Sequence, residues 1–167
     1  MNLKARKNQL DFNMIVELSP QKIIKEATTV WNQPGPEIDI VMELKKLSFK
    51  EGSIDELYVF HVLDHLFIDE APEALANWIK VLKPNGKIFI IVDDFEYLTR
   101  AFVGGDININ TFNNEHSAPA FFDHDNLFGF MVKAGFKEES LTIWYDSPNS
   151  NFSRKHFELI MSGEKNG

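Results

Sequence analysis

The sequence predicts an α/β fold in three layers, with a mostly parallel sheet that ends in an antiparallel strand, and three observations carry that reading. A strand, helix, turn and strand unit can be read between Phe49 and Val92. Within it, Ile88, Phe89, Ile90, Ile91 and Val92 form a continuous apolar, largely β-branched run, the mark of a strand covered on both faces. At the far end, Leu141 to Tyr145 and Phe157 to Met161 flank the turn-rich segment SPNSNFS and fit an antiparallel pair.

Met14 to Leu18 is a short apolar strand that carries Glu17 near its end. Ser19 followed by Pro20 supplies a cap and a first-turn proline, so a helix is expected to about Val30 with Ile23, Ile24 and Ala27 on its apolar face. Pro34, Gly35 and Pro36 end it, and Ile38 to Met42 form a strand leading to Glu43. Ile54 to Phe60 alternates and then fills with apolar residues, as a strand entering a doubly covered sheet does. Pro72 suits a first helical turn, and Leu75, Trp78, Ile79 and Leu82 recur at the spacing of one buried face. That helix is expected to stop at Lys83, before the turn Pro84-Asn85-Gly86. Ile54–Phe60 and Ile88–Val92 are then adjacent parallel strands joined by a right-handed crossover. Residues 104–124, rich in Asn, Asp, His and Phe, read as the least structured part.

A chain of 167 residues that is 44% hydrophobic can bury a full core, so residues 1–167 read as one domain. The formal net charge of −8 argues against nucleic acid as the main partner. Cysteine is absent, which excludes disulfides, thiolate metal sites and a cysteine nucleophile, and fits a cytoplasmic location. The basic start leads into no long apolar run, and no stretch is long enough for a membrane span. Homo-oligomerisation stays open.

Several motifs occur together and in one order. They are Glu43 to Asp55, then His61 to Leu66 (HVLDHL), Val81 to Lys87 (VLKPNGK) and Phe122 to Phe136, ending in Ala-Gly-Phe. Over residues 38 to 163 the chain resembles the second half of a class I S-adenosylmethionine-dependent methyltransferase, a Rossmann-like family. The resemblance implies S-adenosylmethionine as cofactor and a small-molecule methyl acceptor. It also implies site residues at the carboxyl ends of the strands, where open α/β sheets bind ligands. Glu17, with its neighbour Leu18, matches the acidic position that holds the ribose hydroxyls; the bland reading is a carboxylate favouring the dipole of a following helix. Glu43 and Leu44 match the position that meets adenine, against a solvated loop charge. Phe60, His61 and His65 fall where relatives line the methyl-transfer site, and either histidine would serve there as a base; the bland alternative is a cap after the strand.

The family's first strand runs into a glycine-rich turn that approaches the methionine part of the cofactor. If Met1 to Leu3 is that strand, the turn is Lys4, Ala5 and Arg6, its glycines are gone, and the first crossover is shortened or missing. No metal is expected. His61 to His65 imitates the H-x-x-E-H pattern of zinc peptidases with Asp64 in place of Glu, but a catalytic zinc needs a third protein ligand. His116, Asp123, His124 and Asp125 read as solvated groups with an Asp helix cap. Two functions follow: a methyltransferase acting on a small-molecule acceptor, favoured by the retained acidic residues, or a catalytically silent binding or assembly module, favoured by the lost glycine turn.

Overall fold

The computed structural model describes residues 13–115, 119–144 and 158–167. Three short strands open the sheet: β1 (Ile15–Leu18), β2 (Thr28–Trp31) and β3 (Ile40–Val41), all paired in parallel. Then come β4 (Ile54–Phe60), α1 (Ala71–Val81) and β5 (Leu82–Asp93). After these the chain forms α2 (Phe95–Gly104), α3 (Ile109–Glu115), α4 (His124–Ala134), β6 (Leu141–Trp144) and β7 (Glu158–Glu164). The sheet order is β3-β2-β1-β4-β5-β7-β6, with β7 antiparallel to both β5 and β6. The expected parallel pairing of Ile54–Phe60 with Ile88–Val92 is observed, for example Val59 opposite Ile90.

This order changes the place of the first strand. The described sheet has seven strands, and Ile15–Leu18 is an interior one that pairs with both β2 and β4. Met1 to Leu3 and Lys4, Ala5 and Arg6 lie outside the described residues, and the turn that follows the first strand begins at Ser19. The crossover from β1 to β2 spans residues 19–27 without a helix, shorter than the dozen or so residues a parallel crossover usually takes.

The helix expected from Pro20 is therefore not formed. Glu17 is fully buried and draws the backbone of the turn toward itself, accepting from the N–H groups of Ile23 and Ile24 at 3.0 and 2.8 Å. The β-branched run Thr28, Thr29, Val30 then favours strand over helix. The helix expected through Lys83 stops at Val81, because Leu82 is extended and already pairs with Ile54 across the sheet. Pro84-Asn85-Gly86 becomes an irregularity inside β5 rather than a turn ahead of it. Asn85 takes φ 62°, and a side chain on Gly86 would meet the Lys83 carbonyl at 2.9 Å. Residues 104–124, expected to be least ordered, contain α3, whose first turn is capped by Asn108 through the N–H of Asn110 and Thr111. Asp123 caps α4 as expected, and Gly135 closes that helix at φ 114°. Tyr145, His116 and Phe157 lie outside the described residues.

Helices α1 and α4 pack against each other and bury one face of the sheet through Leu75, Trp78, Leu127 and Met131. On the other face a second cluster joins Ile24 and Ala27 of the crossover to Tyr58, Phe60, Phe89, Ile91 and Ile160, and no described helix contributes to it. Of the two helical layers expected, the described residues provide one, while the 19–27 segment stands where the first crossover helix was expected.

Candidate functional site

Strand order turns between β1 and β4, since the chain moves outward through β2 and β3 and then returns to the other side of β1. A crevice opens at the carboxyl ends of the strands flanking such a switch point. Here it is a cavity of about 430 Å³. Pro20 lines it from the turn after β1, Trp31 and Asn32 from the end of β2, and Glu43, Leu44 and Lys45 from beyond β3. Phe60, His61, Val62, His65 and Leu66 close it from the end of β4.

Helix α1 holds one wall in place. The buried Trp78 donates its indole N–H to the Leu44 carbonyl at 2.8 Å, Asn77 accepts from the Leu47 N–H at 2.7 Å, and Lys45 pairs with Glu70 at 2.6 Å. The segment carrying Glu43 is thus tied to the helix that anchors the core. Glu43 itself is exposed at the cavity wall.

Glu17 does not line the cavity. Besides the two backbone N–H groups, its carboxylate takes the Thr29 hydroxyl at 2.8 Å, so it is committed to the turn that shapes the cavity. Leu18 is fully buried in the core beneath. Of the residues singled out from sequence, the structure gathers Glu43, Leu44, Phe60, His61 and His65 around one cavity and leaves Glu17 and Leu18 out of it. Trp31 and Asn32 were missed because a helix was expected in place of the strand that ends at Trp31; the signal was there in the β-branched run Thr28, Thr29 and Val30.

His61 has an unusual setting. It adopts φ 49°, and its backbone N–H reaches the Ile91 carbonyl at 2.9 Å, which turns the chain sharply off the end of β4. Its ring Nδ1 lies 3.2 Å from Asp64 and 3.6 Å from Asp93, and Nε2 lies 2.9 Å from Glu158. Burial alone would lower the imidazole pKa, but the hydrogen bonds to Asp64 and Glu158 and the charges of Asp64 and Asp93 outweigh it and raise the pKa to about 10. Both ring nitrogens are thus engaged by carboxylates, Nδ1 by Asp64 and Nε2 by Glu158. His65 is exposed and stands apart from this cluster.

The sign of the linkage follows from that raised pKa. The clamp contributes its full stability below the ordinary histidine value near 6.5 and loses it as pH rises toward about 10. Melting curves between pH 6 and pH 10 should therefore fall more steeply for the native protein than for His61→Gln. Parallel profiles would mean that the raised pKa is absent.

An open, mostly parallel α/β sheet with a cavity at its switch point places the protein in the doubly wound α/β fold class. Comparison with known proteins narrows this class. A family model described as a methyltransferase domain matches residues 9–90. Among solved structures, an S-adenosylmethionine-dependent methyltransferase from Thermotoga maritima is similar with a TM-score of 0.62 and 17% identity, covering 94% of this chain and 84% of that one. An S-adenosylmethionine-dependent methyltransferase from Archaeoglobus fulgidus gives 0.58 and 12%, covering 84% and 76%. Human N-acetylserotonin methyltransferase, solved in complex with S-adenosylmethionine, gives 0.56 and 13%, covering 84% and 41%. No curated protein matches in sequence. The chain shares the fold of these S-adenosylmethionine-dependent methyltransferases. The family match begins at residue 9 and so leaves Lys4, Ala5 and Arg6 outside it.

Proposed function

We propose that this cavity binds the adenosine portion of S-adenosylmethionine and that the protein is a methyltransferase acting on a small-molecule acceptor. The observation that carries this reading is the convergence of Trp31, Asn32, Glu43 and Leu44 on one cavity at the switch point, opposite His61 and His65. Trp31 offers an aromatic face for a base. Asn32, at the end of β2, offers an amide that can both donate and accept toward ribose hydroxyls. Glu43 supplies an acceptor at the end of the next strand, where the family resemblance puts adenine.

The methionine end is different. Ser19, Pro20 and Gln21 stand where the family has its glycine turn, and a proline side chain lines the cavity where bare backbone would approach the ligand. This favours the second reading, a silent module that keeps the nucleoside end of the pocket.

Calorimetric titration with S-adenosylmethionine, S-adenosylhomocysteine and adenosine separates the two. Adenosine should retain much of the affinity of the larger ligands, and Glu43→Ala should weaken all three by about tenfold, the loss of one polar contact. If none of the three binds, the methyltransferase reading is wrong and the silent module stands.

A further inference from the structure

We propose that His61, Asp64 and Asp93 form a binding site for a divalent first-row transition cation, of the zinc or manganese class, at the wall of the cavity. One ligand atom from each residue lies within 4.8 Å of the others. Bonds of about 2.0–2.2 Å to imidazole nitrogen and carboxylate oxygen put neighbouring ligand atoms roughly 3.0–3.5 Å apart around an ion. The Nδ1 of His61 already stands 3.2 Å from Asp64 and 3.6 Å from Asp93, so two edges of the coordination figure are preformed. Rigid elements hold them: His61 leaves the end of β4, Asp93 ends β5, and these strands pair in parallel.

Two further observations point to a cation. The Asp64 side chain is only 2% exposed; one of its oxygens faces Nδ1, while the other, Oδ1, is buried with no hydrogen-bond partner. A buried carboxylate oxygen left unpaired is costly, and an ion held through both oxygens would satisfy it. In addition, the far ring nitrogen of His61 is hydrogen-bonded to the Glu158 carboxylate at 2.9 Å. Metal-bound histidines characteristically pass their other N–H to a carboxylate, which fixes the tautomer and aims the free nitrogen at the ion. An ion here takes the place of the proton on Nδ1, which is released to solvent. One imidazole among carboxylates suits zinc or manganese better than magnesium or calcium, which take oxygen ligands. Of the three residues, His61 lines the cavity. The set differs from the His61 and His65 pair suggested by the sequence pattern.

The test is calorimetric titration of the full chain, stripped with a chelator and free of nucleoside, with zinc, manganese and magnesium chlorides. One equivalent of zinc or manganese should bind and raise the melting temperature, with magnesium at least tenfold weaker. Asp93→Asn should weaken binding by tenfold or more, and Glu158→Gln by about 10- to 100-fold. His124→Ala, which removes the exposed His124 and Asp125 pair, should change nothing. Asp64→Asn is expected to act like Asp93→Asn; should it fail to fold, Asp93→Asn carries the test. Absence of stoichiometric binding, binding indifferent to Asp93→Asn, or binding lost in His124→Ala would overturn the site. Since no nucleoside is present, that failure would leave the adenosine reading untouched.

Discussion

Replacing Trp78 with alanine should lower the unfolding free energy by about 3–5 kcal/mol, the usual cost of deleting a buried aromatic side chain. Trp78 is fully buried in the core beneath α1, and its indole N–H also holds the Leu44 carbonyl. Two effects therefore combine: a cavity in the core, and a carbonyl at the ligand-cavity wall that loses its donor. Trp78→Phe separates them, because it keeps most of the volume and removes only the N–H. It should cost about 1–3 kcal/mol, with a disproportionate loss of ligand affinity if Leu44 moves. Denaturant unfolding of both variants measures the first effect, and an unchanged midpoint in Trp78→Ala would show that this helix face is not core.

Glu17→Ala should have the second large effect, on the order of 3 kcal/mol or more, since it strips the partner from two backbone N–H groups and a buried hydroxyl at once. Glu17→Gln should cost less but not nothing, because its amide presents a donor where one carboxylate oxygen accepted. Hydrogen exchange at the amides of Ile23 and Ile24 reads the event locally, and protection there should fall sharply in Glu17→Ala. Adenosine binding should fall with it although Glu17 touches no ligand, because the turn it organises carries Pro20 into the cavity. Unchanged exchange at these amides would mean that the carboxylate does not organise the turn.

The sheet was legible where periodicity and composition act over long runs. Ile54–Phe60 appears with the expected bounds, α1 has Pro72 in its first turn, α4 follows the Asp123 cap, and the antiparallel close follows from two apolar runs around a turn-rich segment. The first crossover was not legible, because Ser19-Pro20 is a sound helix start and only a tertiary fact overrides it: a buried carboxylate six and seven positions back takes the amides of the turn. That single misreading hid Trp31 and Asn32 and overlooked the engagement of the Glu17 carboxylate by the turn that follows it. Glu43, Leu44, Phe60, His61 and His65 were found because strand ends can be located without knowing the crossovers. The engagement of His61 by Glu158 was beyond sequence reasoning, since the two residues are brought together only by the pairing of β5 with β7.

A crystal structure of the complex with S-adenosylhomocysteine tests most directly where a nucleoside sits. The adenine should lie against Trp31 beside Glu43 and Leu44, the ribose should face Asn32, and the homocysteine tail should be displaced from Pro20 toward His65. Density for the nucleoside at any other site, or a tail running along Ser19 to Gln21 as it would along a glycine turn, would contradict the account.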